Sequence, residues 1–374
     1  MGVLVDLVDR ASAFVCMESD GRTQAQVAAH WDQMTRRPGP PRARWWQVPE
    51  VVAHVNRLVG GKAEPGASRG LERRLRARLA QRGGPTSFRR AVSVGGGAGQ
   101  KEMALLRSGM VEAFDVYELS TERIEVGRRK AEELGLSDRL KFHRKDAFEA
   151  DTRGRYDMVH WNNALHHMFD VDAAVDWSWH ALQMGGVFYM DDFVGPSRFQ
   201  WSDLSLSIAS VVRAHLPERY LRDPRKPGCM LPSRLHRPDP EALMKSDPSE
   251  AADSDRILDA VTDRFPGADI VRTGGVIYHL ALSEVLANIH PEDEGDRMAL
   301  DLLLGFDLCC LSIPGLETHY ATCIAFKESD GPPAILRRGT RMVRAAKRRT
   351  ERGTAALKPR VKRLVRRIRR ALQR

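Results

Sequence analysis

Val92-Ser93-Val94-Gly95-Gly96-Gly97-Ala98-Gly99-Gln100 is the stretch on which the fold turns. A short apolar run enters four glycines in five positions, and a helix-compatible sequence follows from Gln100. Glycine lets a chain turn sharply between strand and helix, and it lets the backbone approach a ligand with no side chain in the way. Alone the turn is ambiguous, because dinucleotide enzymes use a similar one and many glycine loops bind nothing.

Outward from the turn, strands and helices alternate. Strand one is Ala91 to Val94, with its helix from Gln100 to Ser108. Strand two is Ala113 to Tyr117, followed by a helix from Thr121 to Leu134 that Ser120 can cap. Strand three is Leu140 to His143 and strand four Tyr156 to Trp161. A helix from Ala173 to Gln183, stopped by Gly185-Gly186, leads into strand five, Val187 to Met190. This alternation predicts a doubly wound, mostly parallel, seven-stranded Rossmann-like α/β sheet. Strand six at Ala268 to Arg272 follows a helix at Ser254 to Phe265. The closing strand is Glu317 to Phe326, with two helices between them, one a buried helix over Met298 to Leu311.

Three other regions break the alternation. Residues 1–85 read as a helical cap with a turn at Arg36 to Pro41. Residues 86–330 form the α/β domain, interrupted at about 196–253 by a proline-rich insertion over the ligand edge of the sheet. Residues 331–374 are a basic amphipathic tail.

Two carboxylates make the turn specific. Glu118, 23 residues after Gly95 at the tip of strand two, is placed to accept both hydroxyls of a ribose. Asp146 closes strand three where an adenine amino group would lie, with Phe148 beside it. Turn, acid and aspartate together describe an adenosine ligand.

On these residues the stretch from about Arg90 to Phe193 resembles the class I S-adenosylmethionine-dependent methyltransferase family, in its bacterial small-molecule and glycan branch. The resemblance implies that Gly95, Gly97 and Gly99 line the cofactor, that Glu118 binds its ribose, and that Asp146 and Ala147 border the adenine. It implies that the segment beginning at Asn162 faces the sulfonium. Ser93 stands where the family often has an acid. Methylation of exocyclic base nitrogens requires an Asn/Asp-Pro-Pro-aromatic segment after strand four, and Trp161-Asn162-Asn163-Ala164 is not one. No cysteine is placed for attack on a cytosine carbon.

Methyl transfer to a hydroxyl needs an aligned acceptor and a group to remove its proton. His166, His167, Asp191 and Asp192 are the candidates, Asp191 and Asp192 pointing opposite ways as neighbours at a strand end; no metal is expected. The acceptor is read as a sugar or other small-molecule hydroxyl. The rival readings are a silent adenosine-binding scaffold at a membrane or RNA, and an RNA methyltransferase that uses the tail.

The formal charge of +10 sits at the end of the chain. From Gly331 onward 17 Lys and Arg face one acid, Glu351, which leaves the rest at −6. Val361, Leu364, Val365, Ile368 and Leu372 form an apolar stripe among these cations, so residues 335–374 suit an anionic lipid surface. Nucleic acid ranks below, since the tail has no aromatic residue for stacking. The five cysteines are scattered and odd in number, and the apolar start is interrupted at Asp6 and Asp9. A cytoplasmic protein is expected, peripheral to the inner membrane face if the tail binds lipid.

Overall fold

The computed structural model describes residues 21–37 and 39–328, so the basic tail and Cys16 lie outside the described residues. Seven strands form one sheet: β1 Phe88–Val94, β2 Val111–Tyr117, β3 Leu140–His143, β4 Tyr156–Asn162, β5 Leu182–Phe193, β6 Asp269–Gly274 and β7 Tyr320–Phe326, in the order β3-β2-β1-β4-β5-β7-β6. β7 runs antiparallel to both neighbours and the other pairings are parallel. This is the doubly wound sheet that the alternating pattern predicts. The strand order reverses at β1 and β4, and ligands of such sheets bind in the crevice at the carboxyl ends of these strands.

The central strands are buried on both faces, which is why they read as nearly continuous apolar runs. Val92, Val159 and Phe188 pack with Val171 and Val175 of α6 (Val171–Ala181) and Val261 of α9 (Ile257–Arg264). Ala91, Met158 and Tyr189 face the opposite layer, which contains Val55 of α2 (Pro49–Gly60), Leu75 of α3 (Arg69–Arg82) and Leu106 of α4 (Gln100–Arg107). The remaining helices are α1 (Gly21–Arg36), α5 (Thr121–Glu133), α7 (Asp203–Ala214), α8 (Pro240–Ser246) and α10 (Glu294–Cys310).

Several sequence expectations shift, among them strand five, which is the longer β5 with Gly185 and Gly186 inside it. α6 begins two residues earlier, where the Asp170 side chain accepts from Ala173 N, and it ends at Ala181 because Leu182 is already extended. The helix read as buried over Met298 to Leu311 is α10, and it buries only one side: Met298 is 60% and Leu302 74% exposed. Asp296 and Asp307 are its buried polar residues, and Asp307 accepts Gly275 N and Ile277 N at the start of a π-helical turn, Val276–Ala281. No helix among the described residues is long and apolar enough to cross a membrane.

α2 and α3 cross at Gly60 and Gly70, where a Cβ on either glycine would lie under 3 Å from the partner backbone. Asn56 ties the crossing together. Its Oδ1 accepts Gly70 N, and its Nδ2 donates to the carbonyls of Glu64 and Gly66, which shapes the loop leading to Ser68.

Candidate active site

A cavity of about 1190 Å³ opens at the carboxyl ends of β1, β2, β4 and β5. Its floor is the glycine turn. Gly95 and Gly97 have φ of 63° and 59°, in the left-handed region open to glycine. Gly95 N donates to Tyr117 O, and Gly97 N to Oε2 of Glu118 at 2.9 Å. Oε1 of Glu118 accepts Ser120 N, so two amides fix the carboxylate at the cavity wall with lone pairs left for a diol. Gly99 is not in that wall. A Cβ there would meet Phe142 Cζ at 2.9 Å, so this glycine permits helix-to-strand packing rather than cofactor approach.

Asp146, Ala147 and Phe148 form the next part of the wall. Oδ1 of Asp146 accepts Phe148 N, Oδ2 accepts Gln24 Nε2 from α1, and burial raises its pKa. α1 is latched over this side. Oδ1 of Asp32 accepts Ser120 Oγ at 2.6 Å and Glu122 N, and Trp31 lies under the Arg123 guanidinium.

Glu102 was not foreseen from sequence. It projects from α4 back under the turn and is 1% exposed; its Oε1 accepts Ser93 Oγ at 2.7 Å and lies 2.9 Å from His160 Nδ1. Burial opposes its charge, but His160 and Ser93 hold its pKa below the ordinary value. Oε2 has no hydrogen-bond partner among the described residues although the residue borders the cavity. A buried carboxylate oxygen in that state is costly, and the His160 contact on Oε1 offsets part of the cost. Glu102 thus places a carboxylate beneath the turn, bonded to Ser93. A cofactor with a nucleoside at one end and an ammonium at the other fits the floor, the two acids and this oxygen.

Residues 89–226 match the model of a family described as a methyltransferase domain. Residues 89–226 thus carry a methyltransferase domain. No curated protein matches the chain. Among solved structures, it is similar to phosphoethanolamine N-methyltransferase 2 of Haemonchus contortus in complex with S-adenosyl-L-methionine, at 14% identity and a TM-score of 0.43 over 80% of this chain and 60% of that one. It thus spans less than two thirds of that enzyme. Geranyl diphosphate C-methyltransferase from Streptomyces coelicolor A3(2) is 13% identical over 82% and 97% of the two chains, with a TM-score of 0.44.

Beyond the cofactor floor, the cap reaches the methyltransferase sheet through Ser68, a non-glycine residue with φ of 58°. Its Oγ donates to Oδ2 of Asp191 at 2.7 Å and accepts from Asn162 Nδ2 at 3.0 Å, while Lys101 Nζ donates to Asn162 Oδ1. Burial raises the Asp191 pKa, with Ser68 and Lys101 opposing. Asp191 is therefore engaged by the cap, facing away from the histidine corner.

Asp192 takes the other side of β5. Its Oδ2 accepts Ala164 N and Leu165 N, and its Oδ1 lies 2.6 Å from His166 Nδ1. The far nitrogen, Nε2, is 3.6 Å from Oε1 of Glu250. Burial opposes the charged His166, but Asp192 and then Glu250 outweigh it and the pKa rises. His167, also at the cavity, has its pKa driven well down by burial, with the His166 and Arg123 charges adding to it.

Glu250 was also missed from sequence, lying 58 residues beyond Asp192. Arg198, Phe199 and Ala251 all have positive φ, and Arg198 N donates to Ala251 O while Arg198 Nη1 donates to the carbonyls of Pro248 and Glu250. Ala252 N in turn donates to His166 O. Such backbone strain, on the order of 1–3 kcal/mol per residue, persists where surrounding structure enforces it. Aromatic residues Trp46, Phe199, Trp201 and Tyr320 line the remaining wall.

Proposed function

We propose that the protein transfers the methyl group of S-adenosylmethionine to a hydroxyl of a small molecule, the acceptor being a sugar or a compound of similar polarity. The observation that carries this reading is the Asp192–His166 pair at the cavity, with Glu250 opposite Nε2. Bound S-adenosylmethionine supplies an electrophilic methyl group. Gly95, Gly97, Glu118 and Asp146 hold its nucleoside, and Glu102 holds its ammonium. The acceptor hydroxyl loses its proton at the His166 corner, and Asp192 fixes that imidazole's orientation. Aromatic faces with polar groups between them suit a ring that is apolar on its faces and hydroxylated at its rim.

The test supplies deuteromethyl S-adenosylmethionine and a small-molecule extract to the full chain, with mass spectrometry of the products. Acceptors gaining one labelled methyl on oxygen, in step with S-adenosylhomocysteine release and absent in His166→Ala, support the reading. A product labelled on nitrogen or carbon contradicts it. The basic tail is proposed as an anchor on anionic membrane, where a glycan intermediate would be presented. Equal flotation of the full chain and of one ending at Pro333 with anionic vesicles contradicts that.

A further inference from the structure

The corner assigned to proton removal holds more than one imidazole. His166, His167 and Glu250 each offer one ligand atom, all within 4.8 Å of one another. The hydrogen bonds around them fix which atoms are bare. Asp192 can only accept from His166 Nδ1, so that nitrogen carries the proton when the ring is neutral, and Nε2 presents its lone pair. The Ser249 hydroxyl gives its one proton to Oδ1 of Asp247 at 2.7 Å. It can therefore only accept from His167 Nδ1, 3.1 Å away, which leaves Nε2 of that ring bare as well.

In their neutral forms the two imidazoles have bare Nε2 atoms and are each tied at Nδ1 to an oxygen acceptor, the arrangement of metal-binding histidines. Donors in a tetrahedral site with bonds near 2.0 Å lie about 3.3 Å apart, close to the 3.6 Å between His166 Nε2 and Glu250 Oε1. A second, independent feature is the strained clasp of Arg198, Phe199 and Ala251, which spends backbone strain at the residue next to Glu250. The clasp fixes the backbone at Glu250, whose Oε1 lies 3.6 Å from His166 Nε2.

We propose that His166, His167 and Glu250 bind one divalent cation of the zinc class, whose open position takes the acceptor hydroxyl. The donor set of two imidazoles and one carboxylate suits a borderline metal and leaves a coordination position for a substrate. The proposal rests on the hydroxyl-transfer reading above and says how the His166 corner works. A hydroxyl ligated there is acidified and gives its proton to solvent. Its O–H bond is replaced by an O–CH3 bond, and the departing electron pair stays on sulfur.

The full chain, stripped with a chelator and dialysed, is titrated with Zn2+ by calorimetry and with Co2+ by visible absorption. One equivalent is expected to bind the wild type, with a Co2+ ligand-field band. Binding at least 10-fold weaker is expected in His167→Ala and in Glu250→Gln, with S-adenosylmethionine affinity unchanged in both. No saturable binding, or binding unaffected by both substitutions, overturns the proposal. So does a stripped protein that still methylates its acceptor and loses that activity only in His166→Ala; the imidazole is then the base itself, and the hydroxyl-transfer reading stands. Failure of that reading shows separately, as labelled nitrogen or carbon, and leaves the metal titration to be judged alone.

Discussion

His166 Nδ1 lies 2.6 Å from Oδ1 of Asp192, joining the segment after β4 to the end of β5 across the wall of the cavity. Asp192 is fully buried and also accepts Ala164 N and Leu165 N, so the carboxylate positions both the ring and the backbone that carries it. Asp192→Asn keeps one acceptor oxygen but no longer enforces the Nδ1–H tautomer. Methyl transfer is expected to fall by about 10–100-fold, the usual consequence of losing an orienting partner of a functional histidine. S-adenosylmethionine affinity should change little, because Asp192 is not at the cofactor floor. Parallel calorimetry and turnover measurements check this, and loss of both together assigns Asp192 a purely structural role.

Glu102 distinguishes the two ends of the cofactor. Glu102→Gln keeps the shape and an acceptor for Ser93 and His160, while removing the charge at the unpartnered oxygen. S-adenosylmethionine should bind about 10–100-fold more weakly, the value of a charge-assisted hydrogen bond. Methylthioadenosine, which has the nucleoside and no ammonium, should bind as it does to the wild type. Equal losses for both ligands place Glu102 elsewhere in the energetics of the turn.

How much of this was open to reading follows from how far apart the partners lie in sequence. β1 to β5 are legible because each apolar run is bounded by glycine or a capping residue within a few positions. Glu118 and Asp146 are legible because strand ends put them there. Glu102, Ser68 and Glu250 are not, because each acquires its role only when separate segments meet: Ser68 reaches Asp191 across 123 residues. α10 misleads in the same way, since Asp307 is drawn inward by amides of the π-helical turn that no local pattern announces. Gly99 shows the limit of the motif itself, as it serves packing against Phe142.

Ser68 couples the cap to the ends of β4 and β5 at the cavity. Ser68→Ala removes the donor to Asp191 and the acceptor of Asn162, leaving a buried carboxylate with one partner fewer. A loss of about 1–3 kcal/mol at this contact, divided between stability and cofactor affinity, is expected. Calorimetry should show S-adenosylmethionine binding weakened at least several-fold while the chain remains folded. Unchanged affinity detaches the cap from cofactor binding.

Stability should fall on acidification. Burial holds His54 and His319 down to about 4, against 6.5 unfolded. Between those values the unfolded state binds more protons, so stability is lost as pH drops from 6.5 towards 4. Asp307 and Asp253 oppose this, since burial pushes each up to about 6 and the folded state takes up their protons first. His167 and His279, driven well down by burial as well, add to the loss. Urea denaturation at pH 7.5 and pH 5 should show the loss, and His319→Gln should reduce it by at most about 2 kcal/mol. An identical pH response in that variant contradicts the assignment.

The convergence of the glycine turn, Glu118 and Asp146 on one nucleoside is tested most directly by titrating S-adenosylmethionine into the full chain and into Glu118→Ala and Asp146→Ala. Saturable one-to-one binding is predicted for the wild type, weakened about 10-fold or more in each variant. Absence of saturable binding to the wild type, or equal affinity in all three proteins, contradicts the account.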